Sequence, residues 1–479
     1  MRRPCLVLLC GLVLSVILIV AAAPVCLPVV CGPSNRPAPD VAWAQGQGIE
    51  VVSQGAESQF PDAAKFSLTV KSPDEISGIR VLLRRTGNTT TSSYRPVDFT
   101  PGKEVTGESI LRTGTGSSYI PPGTLLEYSF EIRDKGGRVY RSPNQSFIYL
   151  DNRLQWQTVS DGLVTVYYYS ASADKRAQTI LDAAKAALDR MGPVLGIKPT
   201  EPLRIVSYND YRHMSEALPF RAQVVRDKLI TQGMAFSDQR VLLVLGFDRS
   251  VRGTTSHEFT HLLVHEATGR AHPQVPAWLD EGLAEYGNIE PTEEYDTALR
   301  FAILNRRLKP LWYLGSFGGD QDDIIIAYGQ ARSVIHYIID KYGQAKMAQL
   351  MRALQDTMNI DKALQQVYAF DQYGLDSEWR TTIGLEPVPP PNILERQLRS
   401  GQEATATPEP APTATPAATP TSTPTPTTGN RGPGASPGGC RSGSANHVSP
   451  IAADLASLIL LGGPLAMVSV RVFWRKRQP

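Results

Sequence analysis

Apolar and polar residues alternate in short runs from Gly48 to about Ser170. Residues 66–70 (FSLTV), 79–83 (IRVLL), 126–132 (LEYSFEI) and 146–150 (SFIYL) are runs of this kind. Turn signals separate them, among them Ser72-Pro73-Asp74, Pro121-Pro122-Gly123 and the Gly-Gly pair at 136–137. A period of two puts one face of each strand on a core and the other toward water. Short strands closed by such turns predict an antiparallel sandwich of immunoglobulin or fibronectin type over 48–170. Nothing in that stretch carries chemistry, so it reads as a spacer or accessory module. Beyond Ser170 the period lengthens. Residues 174–191 place Ile180, Leu181, Ala184 and Leu188 on one helical face, and 203–207 and 241–245 are short apolar strands. Helical spacing then dominates over 253–267, 276–286, 293–305, 326–341 and 345–355. Strands first and helices later predict an α+β domain over 171–386.

The chain ends depart from this pattern. Arg2 and Arg3 precede an apolar run from Cys5 to Ala23, which makes residues 1–44 a signal peptide or an N-terminal anchor. Two cleavage sites stay open, after Ala23 and after Ala44. Residues 387–448 are a Pro/Thr/Ser-rich linker that cannot build a core and is expected to be a disordered stalk. An apolar run from Ile451 to Val470 approaches the length that spans a bilayer, and Arg471, Arg475, Lys476 and Arg477 follow it. Residues 449–474 are therefore predicted to be a transmembrane helix with a basic cytoplasmic tail and the folded body outside the cytoplasm.

Composition narrows the chemistry. With 42% hydrophobic and 20% charged residues and a net charge of +2, the chain has no basic excess that would point to nucleic acid. All five cysteines (Cys5, Cys10, Cys26, Cys31 and Cys440) lie outside 45–439. The body is not stapled by disulfides, and cysteine supplies no metal ligand there.

His257 and His261 are four apart, hence on one helix face and one turn from each other, close enough to share a metal. Glu258 beside them has the reach of a general base toward a metal-activated water. A third ligand is sought downstream, where Glu281 and Glu285 are again four apart; one is positioned to bind the metal and the other to hold a histidine ring. Zinc is the expected cofactor. Of the remaining histidines, His265 reads as support behind the metal ligands or as helix-end packing, His272 as a surface loop residue, and His213 and His336 as structural.

The segment His257-Glu-Phe-Thr-His261, followed by Trp278-Leu-Asp-Glu-Gly-Leu-Ala-Glu-Tyr286, resembles the gluzincin metallopeptidases, and among them the peptidase MA-like domain. The resemblance implies a thermolysin-like catalytic domain in which Glu281 is the third zinc ligand and Glu285 orients His257. Asp280 is then expected to point elsewhere as a solvated neighbour. It also implies an oxyanion donor at Tyr328, where the alternative is a core tyrosine. Arg332, one turn on, is placed to share that face, and a surface charge is the stronger reading. An edge strand carrying Gly233, Met234 and Ala235 would bind substrate backbone. Gluzincin aminopeptidases carry a glutamate in that strand, and none stands between Thr231 and Phe236.

The expected function is hydrolysis of peptide bonds in a peptide or protein substrate by a membrane-anchored zinc metallopeptidase. The alternatives are an inactive surface-binding or adhesion protein with a metallopeptidase-like domain, and a zinc hydrolase of a non-peptide bond.

Overall fold

A computed structural model describes residues 48–85, 91–114, 116–219 and 232–390. The expected leader over 1–44, nearly all of the linker over 387–448 and the expected membrane helix over 449–474 lie outside them. Among the described residues, no helix is long and apolar enough to cross a membrane.

Nine strands come first: β1 (Glu50–Gln59), β2 (Ala63–Lys71), β3 (Ile76–Arg85), β4 (Thr91–Pro96), β5 (Asp98–Phe99), β6 (Glu104–Arg112), β7 (Leu125–Asp134), β8 (Val139–Arg141) and β9 (Gln145–Ile148). They form two antiparallel sheets, ordered β1-β2-β6-β5 and β4-β3-β7-β8, with β9 also on β7. Alternate residues of β2 (Phe66, Leu68, Val70) and of β3 (Ile79, Val81, Leu83) meet in one core, as the period of two predicts. Phe66 and Tyr128 join the sheets edge to face at 5.1 Å.

A third sheet follows, built from β10 (Trp156–Asp161), β11 (Val164–Tyr169), β12 (Leu203–Tyr208), β13 (Gly233–Phe236) and β14 (Val241–Leu245) in the order β10-β11-β12-β14-β13. The sequence assigned 156–169 to the sandwich. These two strands instead enter the third sheet through the parallel pairing of β11 with β12, so the sandwich ends near residue 150. An alternating run looks the same whichever sheet it joins, and only its partner separates the two cases.

Helices α1 (Asp174–Leu195), α2 (Tyr211–Ala217), α3 (Val251–Thr268), α4 (Ala277–Gly287), α5 (Glu293–Leu304), α6 (Gln321–Tyr342), α7 (Gln344–Thr357), α8 (Ile360–Tyr368) and α9 (Gln372–Thr382) complete the described chain. The third sheet is covered on both faces. Leu203, Ile205, Leu242, Val244 and Ala235 face a core shared with α1 and α3. Val206, Tyr208, Val241, Leu243, Met234 and Phe236 face the sandwich core. The sandwich is thus one wall of the α+β domain, where the sequence suggested a spacer. Tyr119 of the sandwich packs its ring on Phe236 at 5.6 Å, and its hydroxyl donates to the Ala217 carbonyl at 2.6 Å.

Candidate metal centre

Helix α3 runs through the interior of the domain. From Gly253 to Val264 every residue is buried, including His257, Glu258 and His261. No strong amphipathic pattern is therefore expected of it, and its polar residues must find partners inside. Helix α4 packs beside it and supplies them. Glu285 Oε1 lies 2.7 Å from His257 Nδ1 in a hydrogen bond. Glu281 Oε2 lies 3.3 Å from His257 Nε2 and 3.6 Å from His261 Nε2. One ligand atom each from His257, His261 and Glu281 fall within 4.8 Å of one another, the one such group among the described residues.

Asp280 corrects the sequence reading. It is buried, and its Oδ1 lies 3.1 Å from His261 Nδ1. Each imidazole thus has an acid behind it, Glu285 for His257 and Asp280 for His261. His272 is buried as well, with Nε2 4.0 Å from Asp280 Oδ2 and its ring 4.5 Å from that of His265. His265 Nε2 sits 3.1 Å from Asp238. His213 packs by Asp210 and Tyr169, and His336 rests on the Tyr286 ring.

The charges are coupled. Burial by itself lowers the pKa of His257, but the Glu281 and Glu285 carboxylates raise it to about 10. His261 is likewise penalised by burial, yet held well above the usual imidazole range by Asp280 and Glu281. Burial pushes the Asp280 carboxyl up, and the His261 charge overrides this to bring it to about 2. Burial takes His272 down to about 4.

A divalent cation fits this donor set. Nε2 of His257, Nε2 of His261 and both oxygens of Glu281 are buried and make no hydrogen bond. Such atoms normally have a partner in a folded protein. Four carboxyl groups, from Glu258, Asp280, Glu281 and Glu285, are buried around two imidazoles, and a cation offsets their excess negative charge. Two histidines and a glutamate, with no cysteine, are the ligand types of a catalytic zinc.

The other predicted residues take their places around it. Tyr328 on α6 is buried, its ring 6.3 Å from that of His257; burial pushes its phenol well above the usual tyrosine range, and the Glu281 carboxylate adds to this. Gly233 opens β13 against α3. A Cβ there would come within 2.8 Å of both Glu258 Cγ and Thr254 Cγ2, so only glycine lets the strand lie this close. Met234 and Ala235 follow in antiparallel register with Leu243 and Leu242, and β13 is an outermost strand of the third sheet among the described residues. Met234 points into the sandwich core, while Ala235 points to the side of α3. Arg332 is no free surface charge: its Nη1 donates to the Thr292 carbonyl at 3.3 Å.

Residues 183–384 match the family model described as the Peptidase MA superfamily. This part of the chain is similar to that superfamily. All of His257, Glu258, His261, Glu281, Glu285 and Tyr328 lie within the matched stretch. A comparison with curated proteins finds no match. Among solved structures, yeast LTA4 hydrolase in complex with bestatin is 14% identical, with 77% of this chain and 75% of that one covered at a TM-score of 0.31. Aminopeptidase A of Legionella pneumophila is 11% identical, with 70% of this chain and 49% of that one covered at a TM-score of 0.29. A bromine derivative of BhCBM56 is 17% identical over 20% of this chain and 88% of its own, at a TM-score of 0.15. With scores this low, fold and chemistry rest on the Peptidase MA match and on the residues themselves.

Proposed function

We propose that the protein is a zinc-dependent peptide hydrolase, anchored in a membrane with its folded body outside the cytoplasm. The observation that carries the catalytic reading is the convergence of His257, His261 and Glu281, with ligand atoms within 4.8 Å, beside a buried Glu258. The anchoring rests on the apolar runs at both chain ends and the Thr/Pro stalk.

His257, His261 and Glu281 would hold the zinc. When bound, zinc polarises the scissile carbonyl and lets water be deprotonated near neutral pH. Glu258 accepts the proton of the attacking water on its carboxylate and then delivers it to the leaving amine. Glu285 and Asp280 keep the two imidazoles turned toward the metal. The Tyr328 phenol donates a hydrogen bond to the oxyanion that forms on the carbonyl. Gly233, Met234 and Ala235 would pair with the backbone of an extended substrate through the free side of β13. With no acid between Thr231 and Phe236, the strand has no partner for a substrate amine, which favours cleavage within a chain over removal of its first residue.

The test is Glu258→Gln in the full-length protein. Hydrolysis of a peptide library should fall by about 10²–10⁴-fold while one zinc per chain is retained. Unchanged turnover would sink the assignment. Absence of peptide cleavage by the zinc-loaded wild type would turn the reading to a non-peptide bond or to binding alone.

A further inference from the structure

The ring of Tyr328 lies face to face with that of Tyr295 on α5, centroids 5.1 Å apart and planes 8° from parallel. Phe317 meets Tyr328 edge-on at 5.1 Å, and His257 lies beyond at 6.3 Å. Tyr295 is itself buried and fixed from several sides. Its backbone N–H donates to the Thr292 carbonyl at 3.3 Å. Its backbone carbonyl rests on α6 where Gly329 stands, and a Cβ at 329 would overlap it. Arg332, on the same helix, bonds the Thr292 carbonyl at 3.3 Å and lies 3.6 Å from Asp296. The start of α5 is therefore pinned to α6 on either side of the stack.

A phenol on a helix can swing about its side-chain torsions. An oxyanion donor works only when its oxygen is already in place as charge develops. We propose that Tyr295 is a positioning residue whose ring holds the Tyr328 phenol at the metal centre, with Gly329 and Arg332 setting where that ring stands. This rests on Tyr328 acting as the oxyanion donor. Tyr295 does not touch the reacting atoms.

The experiment compares full-length, zinc-loaded Tyr295→Ala, Tyr295→Phe and Tyr328→Phe with the Tyr295→Ala/Tyr328→Phe double variant, by kinetics and by structure. Tyr295→Ala should displace the Tyr328 ring and lower kcat by ~10²-fold with KM changed far less, as loss of one oxyanion donor does. Tyr295→Phe, which keeps the ring, should restore the position and most of the lost rate. In the Tyr328→Phe background, Tyr295→Ala should cost nothing further. A Tyr328 ring that stays in place in Tyr295→Ala overturns the proposal, as does an equal loss in both backgrounds. If Tyr295→Ala does not fold, Gly329→Ala tests the same point: both rings remain, the contact is pushed apart, and an unmoved phenol again overturns it. A displaced phenol with turnover intact in both Tyr295→Ala and Tyr328→Phe would leave the positioning standing and remove the role assigned to Tyr328.

Discussion

Glu285 and Asp280 differ in what their removal would leave behind. Glu285 accepts from His257 at 2.7 Å, and both side chains are buried. In Glu285→Ala that ring nitrogen is buried without an acceptor, and the imidazole loses its orientation. Zinc affinity should fall ~10–100-fold, read by titration against a chelator of known affinity. Asp280→Asn keeps an oxygen beside His261 and removes only the charge, so its loss should be the smaller of the two; an equal or larger loss would show that charge, rather than orientation, governs the site. Spacing by four, a single helical turn, made the pairs His257/His261 and Glu281/Glu285 legible, with Glu258 beside the first; the family resemblance separated Glu281 from Glu285. Asp280 was not legible for the same reason. It is one residue from Glu281, about 100° round the helix, and local periodicity points it away. Only the crossing of α4 over α3 brings a second ligand ring to that side. His272 was hidden similarly, since its loop sequence carries no sign of the burial that helix packing imposes.

At the scale of elements, β12 and β14 explain why the sandwich cannot be a passive spacer. Their residues alternate between two cores, so neither face of the third sheet is solvated. Leu243 is fully buried on the sandwich side. Leu243→Ala should therefore cost ~2–5 kcal/mol of stability. Its effect should appear in one cooperative thermal transition; two separate transitions, with only one shifted, would contradict a shared core. In this sheet β12 and β14 were legible as strands from their apolar runs, β13 from the family resemblance, and β14 appears at the bounds its pattern predicted. Its partners were not legible. Pairing of β11 with β12 spans α1, a distance that no run of alternating residues encodes.

For the molecule as a whole, acid stability should carry the mark of one carboxylate in the sandwich. Glu131 sits among Arg80, Arg133 at 2.9 Å and Arg141 at 3.1 Å. Their hydrogen bonds, that of Arg80 foremost, lower its pKa from 4.5 to about 2. In the unfolded chain the group returns to the ordinary range. Between these values the unfolded state binds the proton that the folded state refuses, so stability rises with pH across that window. The contribution is fully present above about 4.5 and is lost as the pH falls toward about 2. Glu131→Gln cannot titrate. Denaturant melts of wild type and Glu131→Gln, at matched zinc, should therefore differ most near neutrality, and the gap should narrow steadily below pH 4.5. Taking the difference removes the titration of the metal-site acids, which is common to both proteins. A gap that widens on acidification would mean that the three arginines repel one another more than they hold Glu131.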